Sequence, residues 1–132
     1  SGFPVPMDSR CSPAAGAGPV EMVAMALAGC TAMDVISILD KQKQKVTSFD
    51  VKVHAERSAD HPKVITSAVM EYVLVGEALE EAAVLRAIDR SLQKYCPVHK
   101  MLQKAFPIDV RYSIYEAGAG QPALVKQGVY AN

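Results

Sequence analysis

The sequence predicts a single α+β domain, and three changes of pattern along its 132 residues predict it. A long segment from Pro19 to about Lys43 carries the start and stop signals of a helix, and between Glu21 and Asp34 it has no charged side chain. From Val46 the apolar residues recur at every second position, as in a half-buried strand. After Gly76 the period returns to that of a helix with one apolar face.

Composition bounds the function. Half of the residues are hydrophobic, enough for a packed core and too many for a disordered chain. Fourteen basic residues balance fourteen acidic ones, so no charge excess points to nucleic acid or an anionic membrane surface. The expected partner is a small molecule or another protein. The uncharged run spans 12 residues, short of the about 17–25 that a membrane-spanning helix needs, and no signal-peptide pattern follows Ser1. A soluble, cytoplasmic protein is expected. Its three cysteines are odd in number and lack framework spacing, so they read as thiols, metal ligands or redox groups rather than as a disulfide scaffold.

The elements follow in order. Phe3, Val5 and Met7 share one side of a possible edge strand, since Pro4 and Pro6 cannot donate to a ladder. Ser9 to Gly18 reads as a loop. Pro19 suits the first position of the long helix, and Lys41, Lys43 and Lys45 suit its end. Phe49, Val51, Val53 and Ala55 form the inner face of the next strand. A turn around His61 and Pro62 leads to a second strand, Val64 to Val75, in an antiparallel hairpin with the first. Val84, Ile88, Ser91, Leu92 and Tyr95 mark the inner face of the second helix, which stops before Pro97. A short helix from Val98 to Ala105 and a strand from Ile108 to Ile114 complete the domain. Residues 117–132 show no period and are expected to form a flexible tail. So few strands cannot surround a helix that is apolar on all sides, so a second copy is expected to supply the missing cover.

Two cysteines draw the chemistry. Cys30 lies in the uncharged run, about 16 Å from the helix start, too far for the first-turn N–H groups to acidify it. Packing alone would account for it. Cys96 precedes Pro97 at the expected start of the short helix, where positive partial charge favours a thiolate, and His99 follows three residues later. Physical chemistry alone nominates Cys96 as the reactive thiol. Cys96 and His99 also spell half of a metal site that Cys30 or Cys11 would complete, but without a second paired motif no metal is assigned. Asp34, four residues after Cys30 on the same face, reads as a paired or helix-packing group. Glu21 is half a turn out of phase with Cys30 and cannot touch it within one helix.

The run GPVEMVAMALAGCTAMDV around Cys30, the Lys-Tyr-Cys96-Pro-Val motif after a helix, and Ala-Glu-Arg57 with His-Pro-Lys between them resemble the OsmC/Ohr family. The likeness spans roughly residues 8 to 115 and is greatest to its OsmC-like branch. It implies an intertwined homodimer, with antiparallel sheets wrapped around two long central helices and N-terminal strands ahead of residue 1. It implies a thiol peroxidase acting on organic hydroperoxides and H2O2 in oxidative stress. Cys30 would be the peroxidatic thiol and Cys96 would resolve its sulfenic acid as a disulfide. A dithiol reductant, such as a lipoylated protein, would restore the pair without any bound cofactor. Peroxidatic members place a glutamate ten residues before the first cysteine; here that position is Val20, with Glu21 beside it. Their arginine would fall ahead of residue 1, so it either lies in a preceding segment or is replaced by Arg10. The alternative within the family is a protein that binds a small apolar ligand between its subunits.

Overall fold

The computed structural model describes residues 1–9 and 15–131. Helix α1 (Pro19–Lys41) leads into strands β1 (Lys45–Arg57) and β2 (Ile65–Glu77). Helix α2 (Glu81–Arg90) continues as a π-helical turn (Ser91–Tyr95), and helix α3 (Pro97–Leu102) precedes strands β3 (Ile108–Glu116) and β4 (Ala123–Tyr130). The α+β class expected from the sequence is the class observed. One four-stranded sheet runs in the order β1-β2-β3-β4.

The sheet is mixed rather than wholly antiparallel. β1 and β2 pair antiparallel, with Val51 opposite Tyr72, and β3 and β4 pair antiparallel, but β2 and β3 are parallel, with Tyr72 opposite Tyr112. Parallel neighbours need a crossover connection, and here α2, the π turn and α3 supply it. That crossover carries Cys96 over the sheet.

Alternation on β2 buries Ala68, Met70, Tyr72 and Leu74, as its sequence pattern predicts. Val110 and Ile114 of β3 extend this face, and against it pack Leu27, Val35 and Leu39 of α1, Val84, Ala87 and Ile88 of α2, and Leu92 of the π turn. On α1 the buried residues are Leu27, Thr31, Val35 and Leu39, a stripe with a strict spacing of four. Much of its remaining apolar surface is uncovered within one chain: Met25, Met33, Val23 and Ile36 are exposed. Although its uncharged run is only 12 residues, α1 as a whole is long and apolar enough to cross a bilayer, with a mean hydropathy of 1.9 over 18 residues; its buried stripe is packed on the sheet.

Two expectations are corrected. The stretch from Phe3 to Met7 is not an edge strand: it makes one isolated bridge, Met7 to Ala17, and its apolar side chains are exposed, because Pro4 and Pro6 remove the donors that a ladder requires. Residues 117–131 are not a flexible tail. Gly118, Gly120 and Pro122 form the turn, and the β-branched and aromatic residues from Ala123 onward form β4. Gly128 is required there, since a Cβ would lie 2.6 Å from the Tyr112 hydroxyl that crosses β4 to reach Glu81. Smaller differences concern ends: α1 stops at Lys41, and α3 at Leu102.

Leu39 is fully buried at the end of the α1 stripe. Leu39→Ala is expected to destabilise the fold by about 2–5 kcal/mol, measured by urea denaturation, whereas Met33→Ala on the exposed face of the isolated chain should cost far less.

Candidate functional site

The site lies where α1 crosses the π turn. On α1, Cys30, Thr31 and Asp34 fall within one helical turn, and the stripe that docks the helix turns them toward the crossover. On the other side the π turn inserts one extra residue before Cys96, whose N–H reaches the Ser91 carbonyl at 2.7 Å. Ser91 and Cys96 are both fully buried beneath α1.

Cys30 Sγ, Cys96 Sγ and a carboxylate oxygen of Asp34 all lie within 4.8 Å of one another. Both cysteines are free thiols. Cys30 and Asp34 are partly exposed and Cys96 is not exposed at all. A disulfide between them would require the sulfurs to close to about 2.05 Å, within reach of a local movement.

A chain of hydroxyls ends on this cluster. Tyr72 Oη lies 2.6 Å from Thr31 Oγ1, which lies 2.8 Å from Ser91 Oγ. Ser91 Oγ donates to Asp34 Oδ2 at 3.0 Å. Each hydroxyl has one proton, so the last bond sets the direction of the others: Tyr72 donates to Thr31, Thr31 to Ser91, and Ser91 to the carboxylate. Burial holds the Tyr72 phenol well above its ordinary range, which keeps its donor proton in place.

Cys96 is the N-cap of α3, as expected, and its Sγ accepts the His99 N–H at 3.4 Å. It is not the activated thiol that this position suggests. Burial pushes the Cys96 thiol up to about 12; the His99 N–H opposes the rise, and Cys30 and Asp34 add to it. His99 supplies no cation, because burial lowers the pKa of its ring, and its Nδ1 has no hydrogen-bond partner among the described residues. The metal donors considered from spacing are therefore regrouped: Asp34, not His99, stands with the two cysteines.

Glu21 lies apart from the site. Its Oε1 accepts the Gly18 N–H at 3.2 Å and caps its own helix. Arg10 and Cys11 lie outside the described residues. His54 is exposed and bonds Glu56 at 2.8 Å. Two features escaped sequence reasoning. Ser91 repeats with the apolar face of its helix, and only the π turn explains a hydroxyl at that place. Arg57 donates to the Lys63 carbonyl at 2.8 Å and lines a cavity of about 310 Å³ between α1 and β1, together with Glu21, His54 and apolar residues of both elements.

The fold and site define a two-cysteine protein with one thiol on a long core helix and its partner at the cap of a crossover helix. That class has a family: residues 12–111 match the model of the OsmC-like proteins, and the chain belongs to that family. It is similar to the protein YhfA of Escherichia coli, with 41% identity over 117 residues, which cover 89% of this chain and 87% of YhfA. The fold is similar to that of an OsmC-like protein from Mycoplasma pneumoniae (TM-score 0.74, 19% identity, 86% of this chain and 83% of that one). It is also similar to that of an organic hydroperoxide resistance protein OsmC from Legionella pneumophila (TM-score 0.58, 11% identity, 76% and 70%).

Among the described residues Thr31 bridges Tyr72 and Ser91. Thr31→Val should destabilise the protein by about 1–3 kcal/mol through the unpaired buried hydroxyls, with Thr31→Ser close to wild type, as read by thermal and urea unfolding. Alkylation by iodoacetamide at neutral pH should label Cys30 in the folded protein. Cys96 should react only after unfolding, since with its pKa pushed up to about 12 it stays protonated until strongly alkaline pH.

Proposed function

We propose that the protein is a homodimeric, cytoplasmic thiol peroxidase that reduces organic hydroperoxides and H2O2 through Cys30 and Cys96. The observation that carries this reading is the approach of the two sulfurs to within 4.8 Å, with Cys30 partly open to solvent and Cys96 enclosed. The open thiol meets the peroxide. Its thiolate attacks one peroxide oxygen, the O–O bond breaks, and the other oxygen leaves as alcohol or water after taking a proton, with Cys30 oxidised to a sulfenic acid. Cys96 then attacks the Cys30 sulfur, losing its proton as hydroxide leaves, so that water is released and a disulfide forms. An external dithiol, of the lipoyl class, reduces that disulfide by exchange.

Family membership and the organic hydroperoxide resistance of the Legionella relative favour this chemistry. The apolar surface that α1 leaves exposed favours a dimer, since a second copy would bury Met25 and Met33. In this reading Arg10 and Glu21 are the candidate activating groups. Glu21 lies about 13 Å from Cys30 along the helix, so any action on the thiol would come across the subunit boundary.

A second reading rests on the cavity between α1 and β1. Val20, Ala24, Met25, Ala28, Val51 and Val53 give it an apolar wall suited to a small apolar ligand.

The test is consumption of cumene hydroperoxide with a dithiol as reductant. Cys30→Ser should lower the rate by about 100-fold or more, to the level of the uncatalysed reaction. Cys96→Ser should still be oxidised once and then accumulate a sulfenic acid that dimedone traps. Equal rates for wild type and Cys30→Ser would exclude the peroxidase. Saturable binding of an apolar fluorophore without turnover would favour the second reading. Sedimentation should give the mass of two chains.

A further inference from the structure

We propose that Cys30, Asp34 and Cys96 form a binding site for a single divalent cation of the zinc class, occupied only when the two thiols are reduced. The proposal goes beyond the peroxidase reading and does not require it.

The donor set fits. Two sulfurs and one carboxylate oxygen converge within 4.8 Å. A tetrahedral zinc ion, with about 2.3 Å to sulfur and about 2.0 Å to oxygen, holds such donors about 3.5–3.8 Å apart. The donors need to draw in by at most about 1.3 Å, within the range of side-chain rotation. Three protein donors leave a fourth position for water, and it lies on the open side of the cluster, where Cys30 and Asp34 are partly exposed. Thiolate with carboxylate selects a borderline-soft ion over magnesium or calcium.

The position of Asp34 points the same way. Its charge opposes standing thiolates at both sulfurs; beyond serving as a base for the Cys96 proton when the disulfide forms, it completes with them a three-donor metal set. Among the described residues no lysine, arginine or histidine pairs with it within 4.0 Å, and Lys41 and Arg90 share only a surface cavity with it. Yet the carboxylate is held in place by a built support: Ser91 donates to it, and Thr31 and Tyr72 stand behind Ser91. Ser91, Thr31 and Tyr72 are all fully buried. Hydrogen-bonded outer partners of this kind orient the ligands of metal sites. A divalent cation turns the mutual repulsion of three anionic donors into attraction to a common centre.

Binding and oxidation exclude each other. When a hydroperoxide takes two electrons from the pair, the sulfurs join, the peroxide becomes alcohol and water with two protons from solvent, and the cation loses two of its three donors. The ion would thus shield the reduced thiols and be released on oxidation.

The experiment uses the full chain, reduced and free of oxygen, near neutral pH. Zn2+ is titrated against a chromophoric chelator, and Cd2+ is followed by its sulfur-to-metal charge-transfer absorption. The reduced protein should bind one ion per chain, and the diamide-oxidised protein none. Asp34→Asn should weaken binding by about 10- to 100-fold, and Cys30→Ser should weaken it further. Ser91→Ala keeps all three donors but frees the carboxylate, and should weaken binding by about 10-fold or more. Circular dichroism checks each variant, and the comparison of reduced with oxidised wild type needs no variant. Equal affinity in Asp34→Asn would show a bare dithiol and overturn the site. Failure of the reduced protein to bind either ion, or binding that survives oxidation, would overturn it as well. Peroxide consumption by the same preparations is scored separately, so loss of one reading leaves the other standing.

Discussion

The structure around the site depends on one buried chain of hydroxyls, Tyr72 to Thr31 to Ser91 to Asp34. It joins a strand, the core helix and the crossover at a place that apolar packing alone would leave free to slide. Leu27, Val35 and Leu39 bring α1 onto the sheet, but such contacts are not directional. Thr31, at the same spacing in the stripe, fixes where along the sheet α1 stops, because its hydroxyl must meet both Tyr72 and Ser91. Each of these buried groups would cost about 1–3 kcal/mol if left unpaired, so the chain forms as a unit or not at all.

The position of Cys96 is a consequence of the same arrangement. The π turn lets Ser91 face α1 and bends the chain so that Pro97 can open α3 with Cys96 as its cap. A regular α-helix to Tyr95 would rotate Ser91 or Cys96 away from Cys30, since one residue of offset turns a helix by about 100°. The two sulfurs approach because the crossover carries one irregular turn.

Much of this could be read from the sequence, and the part that could not has a physical reason. Local signals found α1 from Pro19, the β1–β2 hairpin, and Cys96 as the cap before Pro97, because caps, periods and prolines act over a few residues. The hydroxyl chain was not legible, since Thr31, Tyr72 and Ser91 are 41 and 60 residues apart along the chain and look unremarkable in their own elements. Asp34 was visible as a neighbour of Cys30, but not as a neighbour of Cys96. β4 was missed because the glycines ahead of it suggested a tail, although Leu124, Val125, Val129 and Tyr130 are residues that strands favour. Arg10 falls outside the described residues, and Glu21 caps its own helix rather than lying beside Cys30.

The reversal at Cys96 follows from magnitudes. A helix N-terminus is worth about 0.3–1 kcal/mol to an anion, and a pKa unit is about 1.4 kcal/mol, so the cap of a six-residue helix can lower a thiol by less than one unit. Complete burial, with a second thiol and a carboxylate at hand, acts the other way and raises Cys96 from 9.0 to about 12. Position in the chain favoured one thiol; enclosure favours the other. Cys30 lacks the dipole of a helix end but is reached by solvent, and a peroxide can meet only a sulfur that solvent can reach. The buried partner needs no standing thiolate, because it has only to react with a sulfur already held within 4.8 Å, and that proximity compensates for a proton that leaves only as the new bond forms.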